Sequence, residues 1–162
     1  MMHNDWIESA WAAHSCDLRH YARGYCGNVE QAEDAVQDAF LKLQQTTPAV
    51  AGDPPRPWLF RVVRNRLIDL HRRSRRERPN DILPALAVDA DDPAVDTEAI
   101  AALNQLPPRQ REAMVLRFRG GLSYDAIAEV MGPSHSNVGV LLHKALRTLR
   151  EELDPATEGR AV

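Results

Sequence analysis

Little in this 162-residue sequence favours a β-rich, secreted or catalytic protein. Aromatic residues make up 6% and glycines number 8, which disfavours a sandwich or barrel and suits helices. No apolar run approaches the roughly 20 residues that a membrane span needs, so no membrane insertion is expected. The start, Met1-Met2-His3-Asn4-Asp5, lacks the basic and apolar regions of a secretory signal. A soluble, cytoplasmic location is the expectation. Cys16 and Cys26 cannot build a disulfide framework. On one helix they would lie about 15 Å apart, against a limit of roughly 7 Å between the Cα atoms of a disulfide. They are expected as reduced, buried thiols. No phosphate loop, dinucleotide motif or nucleophile elbow occurs, so neither catalysis nor a cofactor is expected. His14, Cys16 and His20 could suggest a metal site, but residues two apart on a helix point to different faces, and the spacing matches no strong zinc pattern.

Hydrophobic residues, at 44%, suffice for a packed core, and the net charge of −3 argues against a general DNA-coating protein. That average conceals strong segregation. Residues 1–55 hold three bases against eight acids, whereas residues 56–78 hold nine arginines against Asp69 and Glu77. Residues 79–98 then carry six acids and no base, and residues 99–153 carry seven bases against five acids. Alternation of this kind suggests separate surfaces meeting partners of different sign.

Apolar residues recur at helical spacing almost throughout. Ile7, Trp11, His14, Leu18, Tyr21 or Ala22, and Tyr25 form one stripe; after Gly27, Asn28 is a plausible cap for a second helix with Val29, Ala32, Val36, Phe40 and Leu43 inward. Its other face is acidic, through Glu30, Glu33, Asp34 and Asp38. The stretch 46–57, TTPAVAGDPPRP, cannot be one continuous helix. A third helix is predicted from near Pro57, ending by Pro79, with Leu59, Val62, Val63, Leu67 and Leu70 inward and arginine recurring through the other positions. Residues 79–95 have three prolines and no period, which reads as a linker able to span about 55–60 Å when extended. Beyond it, Asp96-Thr97-Glu98 opens a helix, Pro108 suits the first turn of the next, and Ser123 and Ser134 cap two more around Gly132-Pro133. A short helix, a tight glycine turn and a longer helix make a helix-turn-helix. The predicted fold is all-α: two small helical domains, 1–78 and 96–153, joined by a flexible linker, 79–95, with a tail, 154–162.

Four constellations bear on function, each with a plainer alternative. The helix-turn-helix at 123–150 would present Ser134, His135, Ser136, Asn137, Gly139, Val140, His143, Lys144 and Arg147 to a DNA major groove; the plainer reading is an ordinary helical hairpin. The arginine-rich helix would repel itself without a polyanion, and its cations cover more than one face, which suits phosphate contacts; otherwise it is a solvated face. The loop at 46–57, with Trp58 at its exit, could hold an unstacked base beside those cations, although core packing is the plainer role for Trp58. The acidic helix face could dock a basic protein surface or simply be solvated.

The segments AEDAVQDAFLKL (32–43), WLFRVVRNRLIDLHRR (58–73) and LPPRQREAMVLRFRGGLSYDAIAEVMG (106–132) resemble the extracytoplasmic-function (ECF) sigma factors of bacteria, minimal members of the sigma-70 family, over roughly residues 5–153. The resemblance implies sigma domain two, a linker and sigma domain four. Glu33, Asp34, Gln37, Asp38 and Phe40 match the surface that binds the clamp helices of the largest subunit of RNA polymerase, with the polymerase flap region as a further contact. The loop with Gly52, Asp53, Arg56 and Trp58 matches the one that captures a flipped base of the −10 element. Asn65 matches an asparagine beside that melted strand, with Arg61, Arg64, Arg72 and Arg73 on phosphates. The acidic linker would thread the polymerase cleft. An anti-sigma factor is implied as a further partner. The recognition helix departs from the common S-x-x-T-V-K-S-R-L: Gly139 and Leu141 stand where cations often sit, so fewer charged contacts to the −35 element are expected, with Val140 placed to touch a thymine methyl. The implied function is promoter recognition and strand opening for core polymerase. One rival is a stand-alone DNA-binding regulator, which leaves the acidic helix and the base-capture loop unexplained; a second is a protein-interaction module that sequesters another factor.

Overall fold

The computed structural model describes residues 2–26, 28–75, 83–87, 96–132 and 137–153. Among these, eight helices and no strand occur: α1 (Met2–Cys26), α2 (Val29–Gln44), α3 (Pro48–Ala51), α4 (Arg56–Arg75), α5 (Thr97–Gln105), α6 (Pro108–Phe118), α7 (Tyr124–Met131) and α8 (Val138–Leu153).

The helix starts follow from local chemistry. The Asn28 side chain accepts from the amides of Glu30 and Gln31 at 2.9 and 3.3 Å, and Asp96 does the same for Glu98 and Ala99 at 3.0 and 3.3 Å. Ser123 Oγ accepts from the Ala126 amide at 3.2 Å. Each satisfies donors that the first helical turn leaves without partners, at about 1 kcal/mol per cap. Pro108 opens α6, where its missing N–H costs nothing. Gly132 ends α7 at φ 104°, a left-handed conformation open to glycine and strained for other residues. Ser134, expected to cap the last helix, lies outside the described residues.

Helices α1, α2 and α4 form the first bundle, around the fully buried Leu18, Tyr21, Val36, Leu43, Leu59, Phe60 and Val63. Tyr21 meets Tyr25 edge-on at 5.3 Å and Phe60 at 5.2 Å between ring centroids. Helices α5–α8 form the second, with Leu116, Ile127, Val130 and Val138 fully buried. Each large apolar side chain removed from water contributes roughly 1.5–3 kcal/mol.

Two features differ from the sequence expectation, and a third, α3, adds to it. The stretch 46–57 contains the single-turn α3, capped at its end by the Gly52 amide donating to the Pro48 carbonyl at 2.8 Å. Cys16 is exposed and Cys26 half-buried, so the expectation of two buried thiols does not hold. Cys16 sits two residues past His14, off the stripe that faces the core, while burial pushes the Cys26 thiol up to about 11. Finally, the linker is not free over its whole length. Within it, Leu83 and Leu86 are buried, and the Ala87 amide donates to the Gly24 carbonyl at 2.7 Å. Asn104 of α5 brackets the Leu86 backbone, accepting from its amide at 2.8 Å and donating to its carbonyl at 3.0 Å.

The bundles themselves are in contact. Helix α4 packs against α1, α2 and, in the second bundle, α7, and one contiguous cluster of buried apolar side chains runs through both.

Candidate protein and nucleic-acid interfaces

The outer face of α2 is less uniformly acidic than its sequence. The single Arg19 Nε–H is shared between the two Glu33 carboxylate oxygens, at 2.8 and 3.0 Å, and Asp38 pairs with Lys42 at 3.2 Å, one turn on. Arg19 in turn lies over the Trp11 ring, 5.1 Å from its centroid. Asp34 and Gln37 are exposed, and Phe40 is buried, edge-on to Trp11 at 4.8 Å. Trp11, with Ile7, Glu8, Gln37, Phe40, Leu41 and Gln44, lines an open groove of about 510 Å³ between α1 and α2. Of the five residues expected to bind polymerase, Gln37 and Phe40 therefore lie in an apolar groove beside the charged face. Sequence reasoning missed Trp11 and Leu41, which it had assigned to the core or passed over. Leu41 is 58% exposed, and its position outside the inward stripe of α2 was the available signal.

The arginine-rich helix divides into two faces. Arg61, Asn65 and Arg72 are exposed, as is Arg73; at 100° per residue the first three lie within about 40° of one another on α4. Gly52 and Asp53 precede them, half-buried and exposed, and Trp58 packs half-buried against the core. On the other face, Arg56, Phe60 and Arg64 recur every fourth residue and are turned towards the second bundle. The Arg64 guanidinium forms a two-pronged ion pair with Glu112 of α6, one prong to Oε1 and the other from Nη2 to Oε2 at 3.3 Å. These side chains are only 7% and 5% exposed. Arg56 donates to the Gly120 carbonyl and to His14 Nδ1 at 3.2 Å, pairs with Asp17 at 3.1 Å, and lies over Phe60 at 5.0 Å. Of the cations expected on the −10 strand, Arg61, Arg72 and Arg73 are thus at the surface, while Arg64 is buried and Arg56 partly so.

Burial governs the titration of these groups. Desolvation pushes the Glu112 carboxyl above the ordinary carboxylate range, although the Arg64 hydrogen bond and charge pull the other way. Desolvation and then the Arg56 charge hold His14 below the usual imidazole value, so it is neutral and free to accept. The Tyr21 and Tyr25 hydroxyls, buried with no hydrogen-bond partner among the described residues, are pushed far up by desolvation. His14, Cys16 and His20 do not assemble a site: among the described residues no group of three or more potential metal ligands comes together.

In the second bundle, Asn137, just before α8, and Gly139, Val140, His143, Lys144 and Arg147 along it are exposed. Ser134, His135 and Ser136 lie outside the described residues. Leu141, at a position expected to be cationic from the resemblance, is half-buried and packs against the core, which accounts for an apolar residue there. Gly139 lies beside Tyr124, and a Cβ on it would stand 3.7 Å from that ring. The exposed Tyr124 is covered by Arg117, 5.1 Å from the ring centroid. Among the described residues, no helix is long and apolar enough to cross a membrane.

Comparison with known proteins agrees with this geometry. Residues 10–77 match the family described as Sigma-70 region 2, and residues 97–149 match Sigma-70, region 4. The chain is 37% identical to the ECF RNA polymerase sigma factor SigL of Mycobacterium tuberculosis over 89% of this chain and 86% of that protein. It is 28% identical to the sigma factor SigV of Bacillus subtilis, covering 86% of each. It is also 36% identical to the probable ECF sigma factor SigI of M. tuberculosis over 93% of this chain, spanning 57% of that longer relative. In structure it resembles the sigma factor RpoE of Bartonella quintana, solved in complex with the anti-sigma factor NepR, with a TM-score of 0.64, 26% identity and coverage of 90% of this chain and 95% of that one. With both regions present in order and close relatives matched along most of their length, the chain belongs to the ECF group of the sigma-70 family.

Proposed function

We propose that this chain is a promoter-specificity subunit of bacterial RNA polymerase, without a reaction of its own, acting in the cytoplasm. Residues 1–78 bind core polymerase and the −10 element, residues 79–95 link, and residues 96–153 read the −35 element, followed by the tail 154–162. The observation that carries this reading is the exposed stripe Arg61, Asn65 and Arg72 directly after the Gly52-Asp53 loop, in the same chain as the exposed α8 face. A lone DNA-binding hairpin needs only the second of these.

Asp34, Gln37 and the groove beside them, with Glu33, Asp38 and Phe40, would dock the polymerase clamp helices, and the second bundle the flap region. Arg61, Arg72 and Arg73 would hold phosphates, while Asn65 and the loop favour an unstacked strand. Strand opening then follows from differential binding: a pocket that accepts a flipped base together with a cationic track stabilises melted over paired DNA. At the start of α8 and along it, Asn137 and His143 are side chains with hydrogen-bonding capacity towards base edges, Lys144 and Arg147 supply phosphate contacts, and Val140 offers an apolar contact. As with the neighbour solved with NepR, an anti-sigma factor is a proposed partner.

The test is run-off transcription by purified core polymerase on a genomic fragment library. Defined start sites sharing an upstream sequence, and dependent on the chain, are expected. Binding to core without any specific transcript would overturn the proposal.

A further inference from the structure

His14 lies in the inward stripe of α1, 9% exposed, at a position where an apolar side chain would be ordinary. The proposed function gives it no task. Its Nδ1 stands 3.2 Å from Arg56 Nη1. Asp17, three residues further and so on the same side of α1, meets that same Nη1 at 3.1 Å. Two α1 side chains thus share one nitrogen of one guanidinium, and the Phe60 ring lies 5.0 Å from its Cζ. Arginine has donors only, so Nδ1 must carry the lone pair and Nε2 the proton. Arg56 is the first residue of α4, directly after the Gly52–Pro55 loop. Its remaining contact, with the Gly120 carbonyl, is to a backbone group that does not titrate.

We infer that His14 and Asp17 form a proton-controlled holder for Arg56: when the imidazole takes a proton, Asp17 turns to it and Arg56 is released to a phosphate of the −10 strand. This rests on the proposed role of the loop and α4. The exchange is balanced. A proton from water goes onto Nδ1, the hydrogen bond from Arg56 is lost, and the Asp17 carboxylate trades one cation for another. An imidazolium has a donor at both nitrogens, so Nδ1 then opposes the Arg56 N–H in hydrogen bonding and in charge. The charges acting on the imidazole are Arg56 from α4 and Asp17 from its own helix. Burial and Arg56 set its titration below the usual imidazole range, so Arg56 is held near neutrality and freed on acidification. Release extends the cationic track of Arg61, Arg72 and Arg73 to the end of α4 that adjoins the loop.

Two measurements on the full chain test this. In the first, NMR follows the His14 imidazole and the Arg56 guanidinium from pH 7.5 to pH 5. The Arg56 signals should shift with the midpoint of His14. They should stay fixed in His14→Gln, whose amide oxygen accepts from Arg56 without titrating. Arg56 signals that ignore the His14 titration would overturn the release. In the second, fluorescence anisotropy reports a fork-junction promoter binding to polymerase that carries either chain, at pH 7.5 and pH 5. One more phosphate contact adds about 0.7 to the slope of log affinity against log salt, or about 2.5-fold more affinity lost between 50 and 200 mM salt. The unaltered chain should show this increment on acidification beyond any change in His14→Gln, since polymerase and the other histidines act alike in both. At pH 7.5 the two should bind alike. Arg56→Ala should abolish the increment. His14→Lys, a cation already present at pH 7.5, should show it there without acid, so acid unfolding of the unaltered chain does not decide the outcome. Equal slopes for the unaltered chain and His14→Gln at pH 5, both folded by circular dichroism, would overturn the role in DNA binding even where Arg56 is seen to be released. Run-off transcription at pH 7.5, where His14 is neutral, tests the proposed function separately.

Discussion

The exposed arginines of α4 allow a quantitative test of the nucleic-acid face. Arg61, Arg72 and Arg73 lie at the surface, whereas Arg56 and Arg64 are engaged by the second bundle. If each holds one phosphate of a melted strand, each contributes about 0.7 to the slope of log affinity against log salt. Replacing all three by alanine should therefore flatten that slope by about 2, leaving sequence preference largely intact because phosphate contacts carry no base information. Between 50 and 200 mM salt, the unaltered holoenzyme should then lose about 15–20-fold more affinity than the triple variant. The assay is fluorescence anisotropy of a fork-junction promoter bound to polymerase carrying either chain; contacts made by polymerase cancel in the difference. Substituting three exposed side chains should leave folding stability within about 0.5 kcal/mol for each, so circular dichroism provides the control. A slope change below about 0.5 with an intact fold would refute the assignment of α4 to the DNA backbone.

Three further outcomes follow from other parts of the molecule. Asn104→Ala strips both side-chain partners from the Leu86 backbone; it should cost about 2–3 kcal/mol in urea unfolding and speed proteolytic cleavage near residue 86, and an unchanged cleavage pattern would contradict the packed linker. Gly139→Ala meets only ordinary contact with Tyr124, so it should stabilise the second bundle by roughly 0.5 kcal/mol, measured by thermal unfolding. His14 is depressed in the folded state, mainly by desolvation and then by Arg56, and accepts from Arg56. The stability it contributes is thus present above its unfolded value of about 6.5 and is lost as pH falls towards its lower folded value. Between pH 7 and pH 5 the unaltered chain should lose more stability than His14→Gln, and parallel curves would remove His14 from the account.

Much of this structure could be read from residue order alone, because helices announce themselves locally. The 3.6-residue period located α1, α2, α4 and α8, and caps such as Asn28, Asp96 and Ser123 fixed where helices begin, since both signals act within a few residues. Helix α3 escaped because four residues are too few to show a period. The packed segment 83–87 escaped for a related reason: Leu83 and Leu86 are held by Gly24 and Asn104, which are distant in sequence, rather than by a pattern of their own. The candidate site divides in the same way. Exposure of Arg61, Asn65, Asp34 and Gln37 follows from helical phase, whereas the pairing of Arg64 with Glu112 joins residues 48 positions apart. Nothing local distinguishes Arg64 from its neighbours until the second bundle is folded against it.

The central claim is that one chain joins polymerase to promoter DNA, and titration of purified core polymerase with the labelled chain tests it most directly. Tight one-to-one binding is expected, weakened by reversing the charge at Asp34 and by Gln37→Ala beside the groove, while substitutions on α8 leave it unchanged. A folded chain that fails to bind core polymerase at any practical concentration would contradict the account.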